Sequence, residues 1–344
     1  MQNQSVSIIV PHYNNYTILK ECIESLTKLS YKNTEIIIID NNSSDNSAIN
    51  IKKEFSQIIL HQLDENIGYA GACNVGAKIA QGKYLLFINN DTIHKVDFIE
   101  HLLKKITSNN KIVAVQPKVQ NINNKGYFDY AGASGGLIDY LVFPFTRGRI
   151  FNTIEKDNGQ YDNAEKVFWT SGVCFITKKN IFLDLDGFDE SLFAHMEEID
   201  YCWKCYLAGY ECWVEPKAVI YHYGAKTLNY ESPKKTYLNH RNSMILLLTN
   251  YRLSLSLFLF PIRIFLELLS FVYNLFQLKF IHAYMHIKAL IYLLFNIKHL
   301  WKRRQLISRI RKVSDKSLFD QNLFLNESIV KKYFLFQQKK YSQL

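Results

Sequence analysis

Gly82-Lys83-Tyr84-Leu85-Leu86-Phe87-Ile88 runs straight into Asn89-Asn90-Asp91-Thr92, which puts an acid at the carboxyl end of a buried strand. Open α/β sheets carry their ligand chemistry at that edge. An aspartate with amide neighbours offers hard oxygen ligands, suited to Mg²⁺ or Mn²⁺ shared with a diphosphate. The competing use of Asp91 is as a cap for the next helix.

Three further segments carry chemistry. Glu197-Glu198-Ile199-Asp200 crowds three carboxylates into four residues, and their repulsion raises at least one pKa, as a general base requires. The same cluster would also serve as a solvated first helical turn favoured by the macrodipole. His222 follows the apolar run Ala218 to Tyr221, where a histidine is either a packed residue or a ligand. Asn66-Ile67-Gly68-Tyr69-Ala70-Gly71-Ala72-Cys73-Asn74-Val75-Gly76 joins a short strand to a helix. Its glycines permit close backbone approach to phosphate or ribose. It is not the dinucleotide fingerprint, since these glycines do not follow the first strand. Arg241, in Asn239-His240-Arg241-Asn242, adds a permanently charged fork whose bland alternative is a surface salt bridge.

The elements that must position these groups are legible as hydrophobic periodicity. Val6 to Val10 reads as a first strand, Thr17 to Leu29 as a helix, and Glu35 to Asp40 as a second buried strand ending in an acid. A helix to about Phe55, a short strand Ile58 to Leu60, a helix Gly71 to Ala80 and the strand Leu85 to Asn89 complete a βαβαβ half. Its sheet is expected to be largely parallel. Residues 112–175 are less regular. A strand is expected near Val173 to Thr177, a helix over Glu197 to Ala208, and short strands over Glu211 to Val214 and Ala218 to Tyr221. From about Tyr237 the pattern changes to long helical runs.

The 344 residues, 48% hydrophobic and 21% charged, describe a globular chain of one large α/β domain plus an appendage, or of two domains. The polar start Met1 to Ser7 carries no secretory signal pattern. Six cysteines in this length form no disulfide framework, and the Cys202-x-x-Cys205 pair lacks a second pair at zinc-ribbon spacing, so packing thiols are expected. The net charge of +10 is concentrated: nine Lys or Arg and no acid lie between Leu268 and Ser314. Leu253 to Leu278 is strongly apolar but broken by Pro261, Arg263 and Glu267, so an ordinary spanning helix is not favoured; Arg263 and Glu267, four apart, can pair. Apolar-aromatic helices followed by the basic run Lys298 to Lys312 with Trp301 predict attachment in the interface of an anionic membrane. A packing subdomain, a dimer face and a re-entrant hairpin are the alternatives. No base-reading motif accompanies the patch, so nucleic acid is not an expected partner.

The ordered set of motifs resembles the inverting family 2 glycosyltransferases, and within them the rhamnosyltransferase-like branch that builds bacterial surface polysaccharide. Beyond the segments above, it includes Ser7-Ile8-Ile9-Val10-Pro11 with Asn14, Asp40-Asn41-Asn42-Ser43-Ser44-Asp45, Ser171-Gly172, Gly187-Phe188-Asp189-Glu190 and Gly209-Tyr210. The resemblance implies an α/β GT-A fold, Rossmann-like, with a mostly parallel nucleotide-sugar-binding sheet in residues 1–245. Residues 246–344 would form the helical, membrane-associating segment. It implies that Pro11, Asn14 and Asp40 line the nucleoside pocket, that Asn66, Asn74 and Asn90 face donor nucleotide or sugar, and that Arg241 neutralises the departing diphosphate. Asp91 would hold a divalent metal, Mg²⁺ or Mn²⁺, with His222 as second ligand. Glu198, with Glu197 and Asp200 beside it, stands where the family carries its general base. The metal motif is Asn-Asn-Asp rather than Asp-x-Asp, Glu replaces Asp at the base, and Lys204 replaces a common Arg. The implied partners are a nucleotide-diphosphate sugar, a glycan or lipid-linked acceptor, and the cytoplasmic face of the cell membrane. A sugar-nucleotide nucleotidyltransferase would need a glycine-rich basic loop where Pro11-His12-Tyr13-Asn14-Asn15 stands. A membrane-bound sugar-binding scaffold with a decayed site is the non-enzymatic alternative.

Overall fold

The computed structural model describes residues 4–224 and 232–344. The N-terminal half alternates as expected: β1 (Val6–His12), α1 (Tyr16–Thr27), β2 (Thr34–Asp40), α2 (Ser47–Glu54), β3 (Ile59–Gln62), α3 (Gly68–Ile79) and β4 (Tyr84–Ile88). β5 (Thr92–His94), α4 (Phe98–Ile106) and the long β6 (Ile112–Asn121) follow. The irregular middle resolves into β7 (Gly136–Asp139), β8 (Pro144–Thr146), β9 (Arg149–Ile150), β10 (Thr153–Ile154) and β11 (Glu165–Val167). It ends in β12 (Cys174–Lys178) and α5 (Lys179–Asp184). α6 (Glu197–Leu207) and β13 (Glu211–His222) close the α/β part. The two short strands expected over 211–221 are thus one strand, interrupted by a bulge between Glu215 and Val219.

The main sheet runs β11-β13-β6-β12-β4-β1-β2-β3, with β5 paired to β13. β1 to β4 are mutually parallel, as the βαβαβ reading required. β12 is antiparallel to both β4 and β6, so the whole is mixed rather than largely parallel. Periodicity does not carry strand direction, and β12 enters from a loop instead of a crossover helix. The unbroken isoleucine run of β2 is explained by burial on both faces. Ile36 and Ile38 join Ile8, Val10, Leu86 and Ile88 against α1 and α4. Ile37 and Ile39 join Ile9, Leu85 and Phe87 under α3 and α6.

The C-terminal part comprises α7 (Pro233–Asn250), α8 (Leu253–Phe276), α9 (Phe280–Phe295), α10 (Ile297–Ile310), α11 (Asp315–Phe319), β14 (Phe324–Leu325) and α12 (Ile329–Phe334). It is tied into the α/β part rather than appended to it. β14 completes a second sheet, β10-β9-β8-β7-β14, and Ile329 N donates to Asp139 Oδ2 at 3.0 Å. A boundary at 245/246 falls inside α7.

Two readings of this region change. α8 is long and apolar enough to cross a membrane, its charges notwithstanding. Arg263 Nη2 meets Glu267 Oε1 at 2.7 Å, both side chains are 1% exposed, and Glu267 Oε2 also meets His240 and His286 at 2.8 and 2.9 Å. The pair therefore neutralises itself inside the bundle, and the outer face is a continuous apolar stripe that includes Leu257, Phe258, Phe265 and Phe276. Second, the basic run is not a uniform solvated face. Arg303 is buried and pairs with Asp189 and Asp200, Arg304 donates to Leu248 O, and Arg311 pairs with Asp315 at 2.7 Å. The charge count could not reveal this for Arg303 and Arg304, whose partners lie far away in sequence or are backbone carbonyls, while Asp315 stands just past the acid-free stretch.

Candidate active site

β1, β2 and β4 end together, with β6 and β13, on one edge of the sheet, and their loops build the site there. Asp40, 3% exposed, accepts from Ser43 N at 3.1 Å through Oδ1 and from Gln62 Nε2 at 3.2 Å through Oδ2. Asn14 takes a left-handed conformation (φ 56°), donates its backbone N–H to Ser43 Oγ and accepts from Ser44 N, both at 2.8 Å. It thereby pins the β1–α1 loop to the β2–α2 loop. Pro11 sits opposite Ile39 in the ladder, one residue before the end of β1. Asn66 Oδ1 accepts from Asn41 Nδ2 and Gly68 N at 3.1 and 3.0 Å, which shapes the glycine-bearing turn into α3. Gly68 is obligatory there: its φ is +78°, and a Cβ would fall 2.4 Å from Phe193 O. Asn90 Nδ2 lies 2.8 Å from His12 Nδ1, whose other nitrogen meets Ser47 Oγ at 2.6 Å, so Asn90 joins the ends of β4 and β1.

Asp91 and His222 come together across the β5–β13 pairing, with Oδ1 to Nε2 at 3.1 Å. On its other side His222 Nδ1 meets Asp129 Oδ1 at 2.9 Å. Burial alone would lower the imidazole pKa, but the Asp91 and Asp129 carboxylates raise it to about 10. The outer acid Asp129 fixes the ring, the arrangement in which the inner nitrogen of a histidine would face a metal. Beyond its ion pair with His222, Asp91 Oδ1 is buried without a hydrogen-bond partner among the described residues, and it and His222 Nε2 are the two donors a divalent ion would use. One carboxylate and one imidazole fit Mn²⁺ or Mg²⁺ completed by oxygens of a substrate.

Glu197 and Glu198 open α6 after Met196, whose φ is +73°. Segment 171–174 lies between this cluster and the end of β4. A Cβ on Gly172 would lie 3.5 Å from the Glu198 carboxyl and 3.7 Å from Glu197 Oε1, while Val173 O accepts from Asn89 N at 2.9 Å. Tyr69 donates to Gly172 O at 2.6 Å and closes the α3 side. Glu197 and Glu198 each hold a buried oxygen, Oε2, with no hydrogen-bond partner. Burial, then the neighbouring Glu198 charge, pushes Glu197 well above the carboxylate range. Burial also raises Glu198, to about 7, against the backbone amides and the Glu197 hydrogen bond that lower it. Both carboxyls thus hold a proton more tightly than a free carboxyl does, and Glu198 is the one of the two raised only to about 7.

Three expected residues are occupied elsewhere. Asp200 points into the helical layer, with Arg303 Nη2 at 2.8 Å, Asn250 Nδ2 at 2.9 Å and Lys204 Nζ at 3.7 Å, and belongs to the scaffold rather than to the base. A residue two places after Glu198 faces the opposite side of α6. Asn74 spends its amide on Phe188 O, Phe188 N and Glu190 Oε1 at 2.8, 2.9 and 3.0 Å. Arg241 donates to Ser191 O and Leu192 O and stacks on Tyr237 and Tyr292, so its charge anchors α7 to the 190–195 segment.

Sequence reasoning missed Asp129, Tyr69 and the cations over Tyr130. The Arg149 guanidinium lies 4.3 Å and the Lys235 ammonium 5.1 Å from that ring, beside Asp129. Burial, then Arg149, lowers Lys235 to about 8. Asp129-Tyr130-Ala131-Gly132 offered an acid before small residues, but it sits in the stretch without periodicity.

A mixed α/β sheet thus carries a carboxylate and a histidine at its carboxyl edge, with a raised carboxyl pair nearby. Residues 7–183, a little over half the chain, match the model of glycosyl transferase family 2, and the protein belongs to that family. It is 35% identical to glycosyltransferase GlyA of Streptococcus pneumoniae serotype 4 over 166 residues, 47% of this chain and 22% of the relative. It is 28% identical to the poly-beta-1,6-N-acetyl-D-glucosamine synthase of Staphylococcus aureus over 233 residues, 65% of this chain and 51% of that one. The chain therefore spans about a fifth to a half of these relatives' length. Among solved structures, GalNAc-T7 with UDP, GalNAc and Mn²⁺ superposes with a TM-score of 0.56 at 17% identity, covering 71% of this chain and 47% of that chain. The Pyrobaculum calidifontis mannosyltransferase PcManGT with GDP-Man and Mn²⁺ gives 0.51 at 13% identity, covering 85% and 88%. These likenesses bear on the fold, which is GT-A.

Proposed function

We propose that this glycosyltransferase moves a hexose, rhamnose or a similar sugar, from a nucleotide-diphosphate donor to a glycan or lipid-linked acceptor of the bacterial surface, with inversion. The observation that carries the reading is the carboxyl pair Glu197–Glu198 set against the Asp91–His222–Asp129 array on one sheet edge. Glu198 accepts the proton of the acceptor hydroxyl, whose oxygen attacks the anomeric carbon as the bond to the donor diphosphate breaks. Glu197, holding its proton, leaves a single negative charge beside the nucleophile. Asp91 and His222 would hold a divalent cation that supplies Lewis-acid stabilisation of the leaving diphosphate. Asp40, Pro11 and Asn14 form the wall against which the nucleoside lies, with Asn66 and Asn90 holding its loops.

The relatives include a synthase of a surface polysaccharide, and structural neighbours hold UDP, UDP-GlcNAc and GDP-Man. These supports favour a nucleotide sugar without choosing among the sugars. We further propose attachment to the cytoplasmic face of the membrane through α8 and α9, whose outward aromatic and aliphatic residues face no protein. The test is a thermal-shift screen of UDP-, dTDP- and GDP-sugars with Mn²⁺, followed by nucleoside diphosphate release with the stabilising donor. A donor that raises Tm and is turned over supports the reading. No stabilisation and no release by any donor, with acceptor supplied, would overturn it in favour of a sugar-binding scaffold.

A further inference from the structure

At the start of α8 the surface opens into a cavity of about 540 Å³ unlike the site above. Its charged lining is Arg252, Arg304, Arg311 and Lys312, with hydroxyls from Ser308 and Ser314 and no carboxylate among the described residues that line it. Arg311 is partly neutralised by Asp315 at 2.7 Å, and Arg304 is held by Leu248 O. Arg252 and Lys312 are exposed. At the start of α8 the Arg252 backbone N–H donates to Asp315 Oδ2 at 2.8 Å, so the positive potential of the cavity comes from its side chains.

The cavity also adjoins apolar surface. Leu253 lines it, and Leu257 and Phe258 continue outward from it, with Phe258 70% exposed. Basic groups and hydroxyls are the chemistry that holds phosphate oxygens, and an apolar stripe at the rim is the chemistry that holds acyl chains. A soluble anion would use the first and leave the second in water.

We propose that this cavity is a binding site for the phosphate of an anionic phospholipid headgroup, seated while the α8 stripe enters the acyl region. The inference rests on the membrane attachment above and sharpens it: attachment is held at one pocket, not spread over the whole basic run. Arg304 and Arg311 form the rigid floor, because their backbone and carboxylate partners fix them, and Arg252 with Lys312 close over the phosphate.

The experiment compares vesicle partitioning of the full chain with Arg252→Gln/Lys312→Gln and with a charge-matched control, Lys279→Gln/Lys298→Gln. Vesicles are pure phosphatidylcholine or phosphatidylcholine with phosphatidylglycerol, and thermal melts check folding. The expected result is wild-type binding to the anionic vesicles, a roughly 25-fold weaker partition for the pocket pair (about fivefold per charge) and less than threefold for the control. Equal losses in the two pairs would overturn the pocket and leave diffuse attraction, with the membrane reading intact. No wild-type binding to either vesicle would overturn both. Stabilisation of the wild type by inorganic phosphate alone, with vesicle binding unchanged in the pocket pair, would reassign the cavity to a soluble anion.

Discussion

Replacing Glu198 by glutamine preserves shape and removes the carboxylate proposed above to accept the acceptor's proton. Loss of a general base slows transfer by roughly 10²–10⁴-fold, and donor affinity should not change, since Asp40, Asn66 and Asp91 are untouched. The same substitution should make the protein more stable. The Glu198 carboxyl has its pKa raised from 4.5 to about 7, chiefly by burial. A carboxyl whose folded pKa exceeds its unfolded one binds its proton more tightly in the native state, so stability falls as pH rises from 4.5 through 7. The shift corresponds to at most about 3 kcal/mol. Glu198→Gln should therefore match the wild-type melting temperature near pH 5 and exceed it at pH 8, while turnover collapses. Glu197→Gln is the internal control, because glutamine mimics a carboxyl that already keeps its proton, and its rate should stay within a few-fold of wild type. The assays are single-turnover transfer with saturating donor and thermal melts at pH 5 and 8. A large rate loss in Glu197→Gln with little in Glu198→Gln would refute the proton assignment, and a pH-independent stability difference would refute its electrostatic cause.

Further outcomes follow from the same geometry. The wild-type rate should rise with pH through about 7 and then level, because the base must be ionised; a profile flat from pH 5.5 to 8.5 under rate-limiting chemistry contradicts this. Asp91→Ala should abolish metal-dependent turnover and lower the melting temperature at neutral pH, because it removes one of the two carboxylates that stabilise the His222 imidazolium, and chelator-sensitive activity near wild type would remove Asp91 from the metal. Asp129→Asn keeps the packing of a fully buried side chain but removes the charge behind His222, so Mn²⁺ affinity read by electron paramagnetic resonance should fall about 10–100-fold; unchanged affinity would make Asp129 purely structural. Arg303→Ala should cost on the order of 3–5 kcal/mol by stranding Asp200 and Asp189, far more than Lys302→Ala at an exposed site, as denaturant midpoints would register.

What the sequence determined was set by short-range physics. The βαβαβ order, the strand-end acids Asp40 and Asp91, the acidic start of α6 and the apolar character of 253–278 all follow from periodicity, chain punctuation and residue type. These are properties of neighbours, and folding did not alter them. Long-range pairing decided the rest. It turned β12 antiparallel, brought β14 from near the C-terminus to β7, and set Asp129 behind His222 across 93 residues. It also divided residues that look alike along the chain. Glu198 and Asp200 are two apart, yet one faces the cleft and the other is spent on Arg303, 103 residues on. Arg303 and Arg311 read as part of a basic run and are mostly internal ties, and Arg241, expected at the leaving diphosphate, is spent on Ser191 O and Leu192 O. Charge and periodicity say what a side chain can do. Which partner it finds depends on packing between segments distant in sequence, and a carboxylate becomes a base or a strut only when that partner is fixed.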